Sequence, residues 1–314
     1  MRQLSIQERI GQAYDILGLL RICGIHDITE GIYVNPLITA TTQTWGDYLA
    51  AQHAQGEFLL DEVACTTNSR ILDIGCGNGP LLKKIATRGA HGTGVTLSRS
   101  QALYCNRASL DAHLLDYQEA PPEWTASFHG VIANGSPEHF AQPMDAVRSN
   151  DSRIYRNMFE KVHSLLIQGG RFATTIIHFR NRDQVDPKAI AQGPYVHARG
   201  SDNFHFAMIL EQVLHGWYPQ PGQLERCASG LFNLVQTQDG THDYYLTSEF
   251  WLRTAWQNLK RNPRIWFELL KMTTSHPFNT WDAFRHYMWD QSWMWQFRGE
   301  TPPTQLLRHT WQAI

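Results

Sequence analysis

The run Arg70-Ile-Leu-Asp-Ile-Gly-Cys-Gly-Asn-Gly79 sets an acidic side chain, Asp73, ahead of three glycines (Gly75, Gly77, Gly79) with Cys76 among them. Apolar residues lead into it, and the helix-like Leu81-Leu-Lys-Lys-Ile-Ala86 follows. Strand, glycine turn and helix in that order bring a backbone close to a ligand, because glycine offers no Cβ to collide with it. The spacing is G-x-G-x-G, whereas dinucleotide loops favour G-x-G-x-x-G with an acidic residue about 20 positions on for the ribose. Here the next strand, Gly92-Thr-Gly-Val-Thr96, ends in threonine instead. A loop with no pyrophosphate to cradle can pack on a ribose and an amino acid, while Asp73 fixes the turn or meets an ammonium. That chemistry fits S-adenosylmethionine; a nucleotide loop or a structural glycine turn is the plainer alternative.

The elements that must position this loop follow from periodicity. Apolar residues at helical spacing over 5–22 (Ile6, Ile10, Ala13, Ile16, Leu19, Leu20) and over Ala50–Val63 predict two helices before the first strand. Strands are then expected at 70–74, 91–96, 111–115, 128–133 and 170–178, and helices at 80–88, 98–110 and 152–167. Strands alternating with helices give an α/β fold: a Rossmann-like, doubly wound, mostly parallel sheet. In such sheets ligands sit beyond the carboxyl ends of the strands, where the glycine loop, Asp116, Asn134 and Glu138 all fall.

Composition narrows the function classes. The chain has 314 residues, long for one α/β domain but within range for one carrying insertions. A net charge of -2 with 18% charged residues disfavours a nucleic-acid partner. The five cysteines, at 23, 65, 76, 105 and 227, include no C-x-x-C pair, which argues against a disulfide framework and a zinc site. No metal is expected. Residues 1–9 lack an apolar signal core and no window of 18 apolar residues occurs, so a cytoplasmic protein is expected, at most peripheral to a membrane. A homo-oligomer is compatible with the sequence.

Four segments of one integrated domain are expected: an N-terminal helical lead-in or lid (1–62), the ligand-binding core (63–180), an insertion or substrate cover (181–230), and C-terminal strands with an aromatic helical cap (231–314). Arg180–Gln212, rich in turn-forming dipeptides, reads as a long loop or small insertion. Nine of the eleven tryptophans lie at 217 or later (217, 251, 256, 266, 281, 289, 293, 295, 311). They either pack as core over the sheet or, in part, wall a greasy pocket and face a developing cation.

Several motifs together resemble the cyclopropane fatty acid synthase family, which includes the mycolic acid methyltransferases, all S-adenosylmethionine-dependent enzymes of the class I fold. His26-Asp-Ile-Thr-Glu-Gly-Ile-Tyr33 is similar to the family's N-terminal Y-D-[LV]-S-x-D-F-[FY], and Ala51-Gln52 stands at the family's distance before the first strand. Gly94-Val-Thr-Leu-Ser98 with Gln101 matches G-V-T-L-S-x-x-Q, implying that Thr96 and Gln101, with Leu97 between them, meet the cofactor's ribose. Leu115-Asp-Tyr117 resembles the D-Y element preceding the adenine segment, which adds Asp116 and Tyr117 to the site. Glu138-His-Phe140, Tyr218-Pro with Gly222 and Leu224, Asp243-Tyr-Tyr-Leu-Thr247 with Trp251, and Phe297-Arg-Gly299 carry the likeness to the far end.

The resemblance implies methyl or methylene transfer to an alkene. Attack on a sulfonium methyl leaves a carbocation that must lose a proton, so a base must wait in a dry pocket. In the cyclopropane synthases a bicarbonate is that base, held among others at positions corresponding to Glu138, His139 and Tyr244. The chain departs from this pattern. The family's Y-S-C segment has no counterpart, Thr175 stands where the synthases carry histidine, and His26 replaces the N-terminal tyrosine. These departures shift the expectation from cyclopropanation to simple C-methylation, with Glu138 or an adjacent tyrosine taking the proton directly. His178 is a candidate substitute for the missing histidine. The alternatives are N- or O-methylation of a small metabolite, and a non-catalytic binding protein of the same fold.

Overall fold

The computed structural model describes residues 6–17, 19–275 and 277–314. The expected lead-in helix forms as two, α1 (Ile6–Leu17) and α2 (Leu19–Ile22); Ser5 of the expected span lies outside the described residues, as does Gly18. The next, α3, spans Trp45–Glu62 and so begins five residues earlier than periodicity predicts. The Thr44 hydroxyl accepts from the Asp47 amide, while the Asp47 carboxylate reaches back to the Thr44 amide, a reciprocal cap that fixes the start.

Seven strands make one sheet: β1 (Arg70–Ile74), β2 (His91–Thr96), β3 (Ala112–Leu114), β4 (Phe128–Asn134), β5 (Leu166–Phe179), β6 (Phe232–Asp239) and β7 (Thr304–Ala313). Their order is β3-β2-β1-β4-β5-β7-β6, parallel from β3 to β5, with β7 antiparallel to both its neighbours. Consecutive residues face opposite sides. Ile71, Ile132 and Ala173 pack with Leu59, Leu82 and Ile85 on one side, and Leu72, Val131 and Phe172 with Met158, Phe159 and Val162 on the other. The helices supplying these contacts are α3, α4 (Pro80–Thr87) and, on the second side, α7 (Asp151–Leu165); α5 (Arg99–Arg107) and α6 (Pro143–Val147) complete the parallel half. On α7 the buried residues are Tyr155, Met158, Phe159, Val162 and Leu165, the three-and-four spacing of one apolar stripe.

Arg180–Gln212 is not a loop. It folds into α8 (Pro187–Ala191), α9 (Asp202–Ala207) and a π-helical turn over Met208–Val213, with α10 (Gln223–Ala228) following. Phe204 and Phe206–Leu210 are fully buried. An apolar run buried on all sides has no alternation of polarity to reveal its period, and the surrounding turn residues hide it. The C-terminal part holds α11 (Thr241–Arg261), α12 (Pro263–Ser275), α13 (Pro277–Phe284), a π-helical turn over Arg285–Trp289 and α14 (Ser292–Trp295) before β7 closes the sheet. The tryptophans at 217 or later divide by environment. Trp217 and Trp311 are core, Trp251 and Trp293 line a cavity, Trp295 is half-buried and stacked on His205, and Trp256, Trp266, Trp281 and Trp289 are exposed.

Candidate active site

A cavity of about 450 Å³ opens beyond the carboxyl ends of β1, β2 and β4. At one end stands the glycine loop. Gly75 has φ of +85°, and a Cβ there would lie 2.6 Å from the Cβ of Ser136, so β1 can turn into the loop only without a side chain. Asp73, Gly75, Cys76 and Gly77 line the cavity, while Gly79 instead caps α4 in the left-handed conformation. Burial, with Asp27 and Cys105 adding, pushes the Asp73 carboxyl up to about 8. A buried acid on a cavity wall with a proton affinity that high is matched to a cationic ligand group, which restores its charge.

At the end of β2, Thr96 Oγ1 donates to Gln101 Oε1 at 2.8 Å and accepts from the Ser98 amide at 3.1 Å. Among the described residues nothing accepts from the Gln101 side-chain amide, whose donors suit a ligand hydroxyl such as a ribose offers. Leu97, Asp116, Tyr117 and Asn134 all line the same cavity. Asp116 is partly occupied, its carboxylate accepting from the Gln118 amide at 3.0 Å. Tyr117 and Phe140 stack with centroids 4.6 Å apart, presenting an aromatic platform at the end where an adenine would lie. All the expected cofactor residues except Gly79 therefore converge on one space.

Glu138 and His139 lie on a 3-10 turn over Pro137–His139, just past β4. Glu138 Oε1 accepts from the Ile177 amide of β5 at 2.8 Å, so the carboxyl is tied to the neighbouring strand rather than to the amides of its own turn. Burial, opposed by that hydrogen bond, drives its proton affinity well above the ordinary carboxylate range. His139 Nδ1 lies 2.8 Å from the Leu214 carbonyl, which can only accept, so Nδ1 carries the proton. Nε2 meets Tyr14 Oη at 2.6 Å, and burial drives the ring down to about 4. Tyr244, Trp251, Tyr287 and Trp293 wall this end. Tyr244 stacks on Phe297 at 4.6 Å and meets Trp293 edge-on at 5.8 Å.

His178 does not replace the missing histidine. It is buried beside His309, ring centroids 5.4 Å apart, and among the described residues both its nitrogens are unpartnered and it has no place on the cavity wall. Thr175 turns its hydroxyl to Gln55 Nε2 at 3.3 Å. With both ring nitrogens of His139 engaged as well, these residues do not fit a bicarbonate. From 181–230 only Leu214 lines the cavity among the described residues. Tyr14, Gln55 and Tyr287 were not singled out from the sequence, whereas Trp251 and Trp293 belong to the tryptophans expected in part to wall a pocket. For Tyr14 a signal existed: Gln7, Ile10 and Tyr14 recur at three and four residues and all line the cavity, so a phenol sits on the inner face of α1.

The sheet order and the glycine-loop cavity define a class I methyltransferase, and S-adenosylmethionine is the cofactor. Residues 41–289 match the family model for mycolic acid cyclopropane synthetase, and the chain belongs to that family of S-adenosylmethionine-dependent methyltransferases. A cyclopropane synthase from Mycobacterium tuberculosis shares the fold with a TM-score of 0.72 at 15% identity, covering 98% of each chain. The geranyl diphosphate C-methyltransferase of Streptomyces coelicolor shares it with a TM-score of 0.60 at 15% identity over 100% of each chain. Among curated relatives, a ubiquinone biosynthesis O-methyltransferase of Chromobacterium violaceum is 29% identical over 96 residues, 29% of this chain and 41% of that protein. The match thus spans less than half the length of that relative.

Proposed function

We propose that the protein is a C-methyltransferase that adds a methyl group to an alkene carbon of a lipid or isoprenoid-like natural product. One observation carries the reading: Tyr244, Trp251, Tyr287 and Trp293 line the same cavity as the buried Glu138. S-adenosylmethionine supplies an electrophilic methyl group on a sulfonium. Asp73 holds its cationic amino-acid part, Thr96 and Gln101 take the ribose, and Asp116, Tyr117 and Asn134 enclose the base. The alkene lies among the rings, aligned with the donor, and alignment supplies much of the rate.

Methylation leaves positive charge on the substrate carbon. A desolvated ring facing it contributes roughly 2 kcal/mol, and a cation standing beside Glu138 opposes the burial that raises its carboxyl and favours the carboxylate. The wall excludes water, so the cation survives until a proton is removed. A C-methyltransferase of the same fold, named for geranyl diphosphate, is in keeping with this reading. Cyclopropane closure is disfavoured, because no bicarbonate base fits beside Glu138, His139 and Tyr244.

The O-methyltransferases among the curated relatives support a second reading, N- or O-methylation of a small metabolite. Isotope-labelled S-adenosylmethionine offered with unsaturated phospholipids, prenyl diphosphates, phenols and amines decides between them by mass spectrometry of the products. Label on an alkene carbon supports C-methylation. Label on a phenol oxygen or an amine, with the alkenes untouched, replaces it.

A further inference from the structure

We propose that Tyr14 and His139 form the proton-accepting relay of the reaction: Tyr14 Oη takes the proton lost by the methylated substrate while its own hydroxyl proton passes to His139 Nε2. The inference rests on the alkene reading above and names the group that completes it. Its geometry is already assembled. Tyr14 Oη lies 2.6 Å from His139 Nε2, and His139 Nδ1 lies 2.8 Å from the Leu214 carbonyl. That carbonyl fixes the tautomer, so Nε2 bears a lone pair and the Tyr14 hydroxyl must donate to it. The phenol oxygen then has its remaining lone pairs for a proton arriving from the cavity, which both residues line.

The fold places α1 to do this. A Cβ at Gly11 would stand 2.9 Å from the Leu97 carbonyl, so the helix backbone rests directly on the loop after β2. Three residues further on, the Tyr14 ring meets His139 edge-on at 5.2 Å. One helix therefore covers the cofactor end and supplies a side chain to the reacting end. The groups facing Tyr14 are His139, Glu138 and Tyr287, and those facing His139 are Tyr14 and His215. Burial keeps the phenol protonated and the imidazole neutral before reaction.

Atoms and charge balance. The C–H bond beside the cationic carbon breaks and its electron pair becomes the new C=C bond. The proton goes to Tyr14 Oη, the Tyr14 O–H proton goes to Nε2, and His139 ends as imidazolium with Nδ1–H still held by Leu214. The positive charge that entered on the sulfonium leaves on the histidine. A carbocation is a far stronger acid than imidazolium, so the weak basicity of this buried ring is no obstacle. Glu138 is close enough to Tyr14 to bias it electrostatically.

The test uses the full chain, methyl-deuterated S-adenosylmethionine and the alkene found by the product assay. Tyr14→Phe keeps the ring and removes the oxygen. Its deprotonated product should fall on the order of 100-fold, with a methylated alcohol appearing as water captures the stranded cation, and cofactor affinity by calorimetry should stay within about threefold. His139→Gln, with Tyr14 intact, should shift the products the same way. The same alkene product from Tyr14→Phe at the wild-type rate overturns the relay and leaves alkene methylation standing. A loss in Tyr14→Phe with His139→Gln unaffected also overturns it, because the tyrosine then works without its partner. A wild-type enzyme that labels only oxygen or nitrogen overturns the alkene reading and this relay with it.

Discussion

Arg308 Nε donates a 2.8 Å hydrogen bond to Gln55 Oε1, joining the last strand to the helix that precedes the first. The same guanidinium bonds Asp243 at 2.9 Å and the Gly31 carbonyl at 3.0 Å, and lies 3.8 Å from Glu30. Gln55 in turn donates to Glu30 at 2.5 Å and to Thr175. The segment resembling the family's N-terminal motif is thus bound to α3, β7 and α11 through one fully buried cation, immediately behind the cavity wall at Asn134.

Replacing Arg308 with Met should therefore be severe. It leaves Asp243, Glu30 and the Gly31 carbonyl without their partner, and breaking a buried pair from one side costs about 3–5 kcal/mol. Urea unfolding should show that loss in midpoint and not in slope. A midpoint within error of wild type would mean that the network contributes nothing net.

Asp73 should make cofactor binding release a proton. Its carboxyl is pushed up to about 8 by burial, so at pH 7 it is mostly protonated in the free protein. An arriving cation favours the carboxylate and expels that proton. Calorimetry at pH 7 in two buffers of different ionisation enthalpy should report a net release approaching one proton. Asp73→Asn should abolish the release and weaken binding; equal release by that variant would place the titrating group elsewhere.

Stability without cofactor should fall from pH 6.5 to 8. Glu30 is raised to about 7 and Asp73 to about 8, both first by burial, so the folded state holds protons that the unfolded chain has already shed above its ordinary carboxylate range. The stability these groups contribute is complete below the unfolded pKa and is lost as pH rises through the folded one, at up to about 1.4 kcal/mol per pH unit for each. Below 6.5 the buried His139, His178, His286 and His309, all pushed down by burial, act with the opposite sign. Thermal melts across pH 6.5–8 should drop for wild type and drop less for Asp73→Asn.

Glu138→Gln should lower kcat by about 100-fold or more while cofactor affinity stays within about threefold, because the amide keeps the shape and the bond to Ile177 but cannot become an anion beside a cation. Turnover at the wild-type rate would remove Glu138 from the chemistry.

Gly75→Ala should cost both stability and cofactor binding. The residue sits at φ +85°, and its new Cβ would meet Ser136 at 2.6 Å. Strain of that kind is worth on the order of 1–3 kcal/mol. A variant with unchanged melting and binding would show that the loop relaxes freely.

What the sequence determined by itself was local. The boundaries of β1 and β2 fall where alternation and the glycine turn put them, and the loop from Asp73 to Gly77 with Thr96 and Gln101 forms one wall of the cavity, because these contacts are made within one βαβ unit by residues close in the chain. Even the start of α3 was written locally, in Thr44 and Asp47. The aromatic end of the cavity was decided only in three dimensions. Glu138 and His139 were legible through their motif, yet what each does depends on Ile177, Leu214 and Tyr14, partners that are 39, 75 and 125 residues away. The same holds for the tryptophans: composition announced their number, but core, cavity wall and open surface call for the same residue type at the same helical spacing. Burial and partnership are properties of the packed whole, and no local period encodes them.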